Sequence, residues 1–220
     1  MKSKAFTRKL RSLRRLLLQG GAWEVLEAIL ANLKKIGIYI QVNDLYRRAP
    51  GAPPFREKPL DLVIRSVSPK EISLLTPLEN KDDRVFLIRL EDYGDECRGI
   101  FFEGEPIGYV WLSDSVMRIP ELEYQRPLAP NEVYMYDVFI GEGWRNRGFY
   151  SIFLGDLFGR LFPLGKSVYT SVEITNRRAH QANVKMGFRK IGKGYRIKLG
   201  NRCIRSSISI SQTGTDEIPN

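Results

Sequence analysis

The sequence predicts an α+β domain preceded by a helical extension, and three observations carry that reading. Two β-like apolar runs, residues 133–140 and 168–174, each lead directly into a segment whose apolar residues recur at helical spacing. Residues 23–36 are helix-spaced as well, and a cluster of proline and glycine at 50–54 separates them from the remainder of the chain. At 220 residues, 43% hydrophobic and 27% charged, the chain suffices for one well-buried domain with an appendage.

The chain opens on a basic leader. Lys2, Lys4, Arg8, Lys9, Arg11, Arg14 and Arg15 meet no acid in the first fifteen residues, so most of the formal charge of +10 sits there; the rest carries 28 bases against 25 acids. Phe6, Leu10, Leu13 and Leu17 share one helical face that ends at Gly20 and Gly21. The first reading of such a helix is leucines packed on the body and charges in water. The same face suits an anionic membrane surface or an acidic protein contacting residues 1–18, with nucleic acid not favoured. Trp23, Leu26, Leu30 and Leu33 mark a second helical face, residues 38–42 read as extended, and residues 47–54 read as a linker. Residues 1–58 are thus an extension, 59–211 the domain, and 212–220 a polar tail without regular structure.

Residues 133–140 are rich in β-branched and aromatic side chains, as a buried strand is. A basic, glycine-marked turn comes next, and Phe149, Ile152, Phe153, Leu157 and Leu161 then trace a helix. Strand, turn and helix N-terminus together bring unpaired amides and the helix dipole to one place, where an anion such as phosphate is favoured. Arg145 and Arg147 add cationic donors, and Gly148 permits close approach or positive φ. After residues 168–174, Thr175 or Asn176 is a candidate N-cap; Ala179, Ala182 and Met186 form a helical stripe that Gly187 ends.

On these residues the chain resembles the GNAT superfamily of acyl-CoA-dependent N-acetyltransferases. Arg145 and Gly148 match that superfamily's pyrophosphate loop; Asn176, Ala179, Ala182, Lys185, Gly187 and Phe188 match its second signature. The resemblance covers residues 59 to about 205 and implies a mixed, mostly antiparallel sheet flanked by helices. Residues 62–65 would be the first strand, 68–75 the first helix and 98–112 a hairpin turning at 103–106. It also implies acetyl-CoA, or another acyl-CoA, as donor. Val138, Phe139 and Ile140 would hold the pantetheine arm. The amides of Arg145, Asn146, Arg147, Gly148, Phe149, Tyr150 and Ser151 would hold the pyrophosphate, and Asn176 would touch the cofactor or brace the gap between the strands. Two positions depart from the pattern. Tyr150 stands where the family prefers glycine or alanine, and Asn183 where many members carry the tyrosine that protonates the departing thiolate. An amide cannot act as that acid.

Acyl transfer to an amine needs a proton acceptor for the nucleophile and a donor for the carbonyl oxygen. Glu173 is the first candidate base, since alternation sets it on the face of Tyr169 and Ser171, opposite Val172 and Ile174. Asp137 is a charge inside an apolar strand and is either catalytic or paired with an arginine. Tyr136, on one face with Tyr134, Val138 and Ile140, could donate to the thiolate or orient a water. The proline-bearing segment 113–130 reads as a long irregular loop bordering the acceptor site, its Glu121 and Glu123 able to attract a cationic amine.

The favoured reading is therefore transfer of an acetyl or short acyl group to an amine, of a small molecule such as an amino sugar or amino acid derivative. The alternatives are a non-catalytic acyl-CoA-binding module and an acyltransferase that takes its donor from acyl carrier protein. No run reaches 18 apolar residues, so no spanning helix is expected. Cys97 and Cys203 have no metal-ligand or redox spacing; no metal site and a reducing, cytoplasmic setting are expected, with the leader the one feature suited to membrane contact.

Overall fold

The computed structural model describes residues 22–51 and 59–210; the leader at 1–18 and the tail at 212–220 lie outside the described residues. Strands β1 (Ile38–Arg48), β2 (Leu62–Ser66), β3 (Glu96–Phe102), β4 (Glu105–Ser113), β7 (Glu132–Ile140), β8 (Ser167–Glu173), β9 (Arg189–Leu199) and β10 (Arg202–Ile210) form one sheet, and β5 (Val116–Ile119) with β6 (Tyr124–Pro127) a second. The large sheet runs in the order β10-β9-β1-β8-β7-β4-β3-β2. Its pairs are antiparallel except β7 with β8. That parallel pair is joined, as parallel strands must be, by a crossover helix.

One face of the sheet carries α3 (Phe149–Leu161) and α4 (Arg177–Lys185). Phe149, Ile152, Phe153, Leu154, Leu157 and Phe158 of α3 are buried against Ile64, Ile100, Val110, Met135, Val168 and Val172. Each such side chain contributes roughly 1.5–3 kcal/mol as an upper bound. The opposite face is covered in two halves. Over β3 and β4 lie the 3₁₀ turns Pro69–Leu74 and Thr76–Leu78, then α2 (Asp83–Leu87) and the wide turn Ile88–Asp92, packing Ile72, Leu75 and Phe86 on Tyr109 and Trp111. Over β1, β9 and β10 lies the β5–β6 hairpin, with Met117, Ile119 and Leu122 against Leu45, Tyr134 and Ile208.

Two expectations change here. Residues 113–130 are not an irregular loop. Met117 and Ile119 alternate inward, Pro120 starts the 3₁₀ turn Pro120–Leu122, and Pro127 closes β6, so the prolines bound the strands without interrupting them. The extended stretch expected at 38–42 runs on to Arg48 and lies inside the large sheet, between β8 and β9. A boundary at residue 58 therefore cuts through the folded unit, leaving one strand of the sheet on its N-terminal side. Ahead of β1, α1 (Ala22–Lys35) packs back on that strand.

Candidate functional site

The site begins where β7 and β8 part. Their parallel register holds only for Glu132, Val133 and Tyr134 against Ser167, Val168 and Tyr169. Beyond that, β8 stays with β1 as far as Glu173, paired with Asn43, while β7 stays with β4 as far as Ile140, paired with Gly108. A wedge opens between them, edged by backbone of β7 that has no strand partner on that side among the described residues. Val138, Phe139 and Ile140 lie along it, half-exposed although β7 is central in the sheet.

A bulge sharpens the wedge. Trp111 faces Tyr136 but Tyr109 faces Phe139, so Asp137 and Val138 together oppose one residue of β4. Asp137 carries φ +48°, a left-handed conformation that costs a non-glycine residue about 1–2 kcal/mol. The extra residue reverses the alternation. Tyr136 and Phe139 pack towards α2, whereas Val138 and Ile140 pack towards α3. This corrects the expectation that Tyr136 shares a face with Val138 and Ile140: period-two alternation holds only while the ladder is unbroken. Gly108 permits the close crossing beside the bulge, since a Cβ there would lie 2.4 Å from the Phe139 carbonyl oxygen.

The ion pairs beneath the bulge hold it. Lys81 Nζ lies 2.8 Å and Arg89 NH1 2.5 Å from the Asp137 carboxylate, and Lys81 also pairs with Glu79 at 2.9 Å. Burial alone would raise the Asp137 carboxyl, but the two cations outweigh it and hold the group below its ordinary value. Asp137 is therefore a committed counter-ion in this arrangement. The Tyr136 hydroxyl donates to Asp95 at 2.7 Å, and burial, reinforced by that bond, raises its pKa. Lys81, Arg89 and Asp95 were not among the sequence candidates, and nothing local in the sequence marks them as partners of a strand some fifty residues on.

At the C-terminal mouth of the wedge the loop and helix start come together. Gly148 caps α3 with φ +85°. The Arg145 amide is bonded to Glu142 and those of Ser151 and Ile152 to Gly148, while the amides of residues 146–150 engage no backbone acceptor among the described residues. These are the unpaired donors of a helix N-terminus. Arg145 donates from Nε to the Ile140 carbonyl at 2.9 Å and lies over Phe139; Arg147 lies over Trp144, and Asn146 takes φ +63°. Phe149 is buried beside Phe102 and Trp144, anchoring the turn. The Tyr150 hydroxyl donates to Asn183 Oδ1 at 2.8 Å, with burial raising its pKa. The two departures from the family pattern thus bond to each other and tie the start of α3 to α4.

Across the wedge, Asn176 caps α4 by accepting from the Ala179 amide at 3.1 Å. His180 bridges the Tyr46 hydroxyl, 2.7 Å from Nδ1, and the Glu173 carbonyl, 3.0 Å from Nε2. The carbonyl can only accept, so Nε2 carries the hydrogen and Nδ1 receives the tyrosine's. Glu173 ends β8 with an exposed side chain and lines a cavity with Glu121. Next to it, Gln41 donates to Asn43 and Asn43 to Ser171, a polar row supplied by β1. The alternation of apolar Ile40 and Val42 with polar Gln41 and Asn43 was the available signal for that strand. Among the described residues no group of three or more His, Cys, Asp or Glu could hold a metal, and no helix is long and apolar enough to cross a membrane.

No family model matches the chain, and no curated protein matches it. Solved structures do. A conserved Staphylococcus epidermidis protein of unknown function superposes with TM-score 0.55 at 15% identity, over 78% of this chain and 66% of its own. A Novosphingobium aromaticivorans structure assigned to the GNAT family of acetyltransferases gives TM-score 0.52 at 15% identity, over 72% and 65%. A Drosophila protein gives TM-score 0.51 at 14%, over 80% and 58%. The chain spans just under two thirds, or less, of the length of these structures. Likeness at this identity shows the fold: a mixed, mostly antiparallel sheet flanked by helices, as in the GNAT structure.

Proposed function

We propose that the protein is an N-acyltransferase that moves an acetyl or other short acyl group from acyl-CoA to the amine of a small molecule. The observation that carries this reading is the wedge: two parallel strands that part after three residue pairs, an edge at Val138, Phe139 and Ile140 that no strand pairs among the described residues, and at its mouth the amides of a Gly148-capped helix that meet no backbone acceptor among those residues. An extended amide-bearing arm fits the first and a pyrophosphate fits the second. The GNAT-like fold supports the same reading.

In the direct reaction the amine nitrogen attacks the thioester carbonyl, the C–N bond forms, the C–S bond breaks and the thiolate leaves with CoA. Glu173, exposed at the end of β8 and free of any ion pair among the described residues, takes the amine's proton. Asp137 and Tyr136, committed to Lys81, Arg89 and Asp95, shape the acceptor side and hold the bulge.

Calorimetric titration with CoA and acetyl-CoA tests the reading. Binding is expected in the wild type and lost in a folded Gly148→Asp variant, whose carboxylate would enter the anion site. Glu173→Gln is expected to bind CoA normally and to lose turnover by roughly 10²–10⁴-fold on an amine panel. Absence of CoA binding in the wild type overturns the proposal.

A further inference from the structure

A cavity of about 640 Å³ opens between α1, β1 and β9 and reaches the end of β8. Its charged lining is divided by position. Glu173 and Glu121 stand at the end nearest the wedge; Lys198, far along β9, and Lys34, on α1, stand at the other. The sheet register sets the spacing. Glu173 pairs with Asn43, which faces Gly194 on β9, so Lys198 lies two strands across and four residues further on. With strands about 4.8 Å apart and about 3.4 Å per residue, the two Cα atoms are roughly 17 Å apart. Between the two ends, Arg196 is paired with Glu123 and donates to the Glu121 carbonyl at 3.5 Å, which spends its charge on the β5–β6 hairpin; its buried Nε has no partner among the described residues. Glu121, Glu173 and Lys198 have no ion-pair partner among the described residues, and Lys34 meets only the Tyr39 ring, at 6.0 Å.

A simple cationic amine would satisfy the carboxylates and leave Lys34 and Lys198, at the other end of the open groove, without a counter-charge. An anion alone would do the reverse. We infer that the acceptor is an amine that also carries an anionic group several bonds from its nitrogen, with the ammonium end at Glu173 and Glu121 and the anion at Lys198 and Lys34. The inference rests on the acyltransferase reading for the fate of the amine, and on the cavity alone for the pair of charges. Charges this far apart on the walls exclude a ligand that bears both on one carbon. A carboxylate or a phosphate would serve as the anion.

The test is calorimetric binding to the full chain, with and without saturating CoA, of two matched pairs: 6-aminohexanoate against hexylamine, and glucosamine 6-phosphate against glucosamine. At least one member that bears the anionic group is expected to bind about tenfold tighter than its counterpart without it, the pair that shows the gap identifying the anion. Lys198 is half-exposed on the sheet surface, so Lys198→Gln leaves the core untouched; it is expected to abolish the gap and Lys198→Arg to keep it. No gap in the wild type, a gap that survives Lys198→Gln, or no binding of all four compounds overturns the inference. CoA binding in the same samples reports separately on the acyltransferase reading. A charge gap without CoA binding leaves the cavity assignment standing and removes the cofactor, and CoA binding without a gap does the opposite.

Discussion

Tyr150 and Asn183 bond hydroxyl to amide across the start of α3 and α4, so the role of each is set by the other. Asn183 is 2% exposed, so an unpaired amide there would be costly. Tyr150→Phe removes the donor without changing the packing and is expected to destabilise by about 1–2 kcal/mol in urea denaturation. Asn183→Ala should cost at least as much. The double variant should cost less than the sum by about 1 kcal/mol, because both substitutions delete one bond. Strict additivity would show that the two side chains act independently. Asp137 is a second residue whose role is set by its neighbours. Its left-handed backbone is held by Lys81 and Arg89, and the bulge it makes turns Val138 and Ile140 to the α3 side of the wedge.

Among the elements, β1 has the largest consequence. It pairs with β8 from Asn43 to Arg48 and with β9 over nearly its whole length, and it buries Leu45 and Tyr46 on opposite faces. Without it, β8 and β9 lose their shared neighbour and the row Gln41, Asn43, Ser171 loses two of its three members. A fragment of residues 59–211, the domain expected from the linker, should therefore show no cooperative unfolding transition, whereas residues 22–211 should keep one. Thermal denaturation followed by circular dichroism separates the two outcomes. A cooperative melt of the shorter fragment would mean that β1 is an accessory strand. The proline and glycine after Arg48 follow the end of β1, but they do not mark the edge of the folded unit.

For the whole molecule, the buried and bridged carboxylates set the response to acid. Glu71, bonded to Arg65 and Ser68, is lowered from 4.5 to about 2. Glu132 and Asp137 are opposed by burial but held low, the first by Arg126 and the Ala129 amide, the second by Lys81 and Arg89. A carboxyl whose folded pKa lies below its unfolded one favours the folded state above the unfolded value and loses that advantage as pH falls through the folded one. These three groups should leave stability level above about pH 4.5 and reduce it progressively from there towards about pH 2. Denaturant midpoints at stepped pH are the measurement. Asp137→Asn should start from a lower plateau, since Lys81 and Arg89 lose their shared anion, and should fall less steeply; an unchanged acid limb would remove Asp137 from the groups that set it.

Features whose causes are local can be read directly from the chain. The capped helix at Asn176, the glycine-led helix at Phe149, the hairpin turn at Glu103 and Gly104, and the amphipathic α1 each depend on residues within a turn or two of one another. The two strand-to-helix junctions were legible for the same reason, and so was Glu173 as the polar end of β8. The rest depends on contacts between distant parts of the chain. Whether the extended stretch at 38–42 stops short or runs on to Arg48 as a central strand depends on β8 and β9, whose paired residues lie 120 or more positions away. Whether Asp137 is a base or a counter-ion depends on Lys81 and Arg89, and the direction Val138 faces depends on a bulge that forms only against β4. Local propensity is written in neighbouring side chains. Pairing, burial and charge compensation are settled only when distant strands meet.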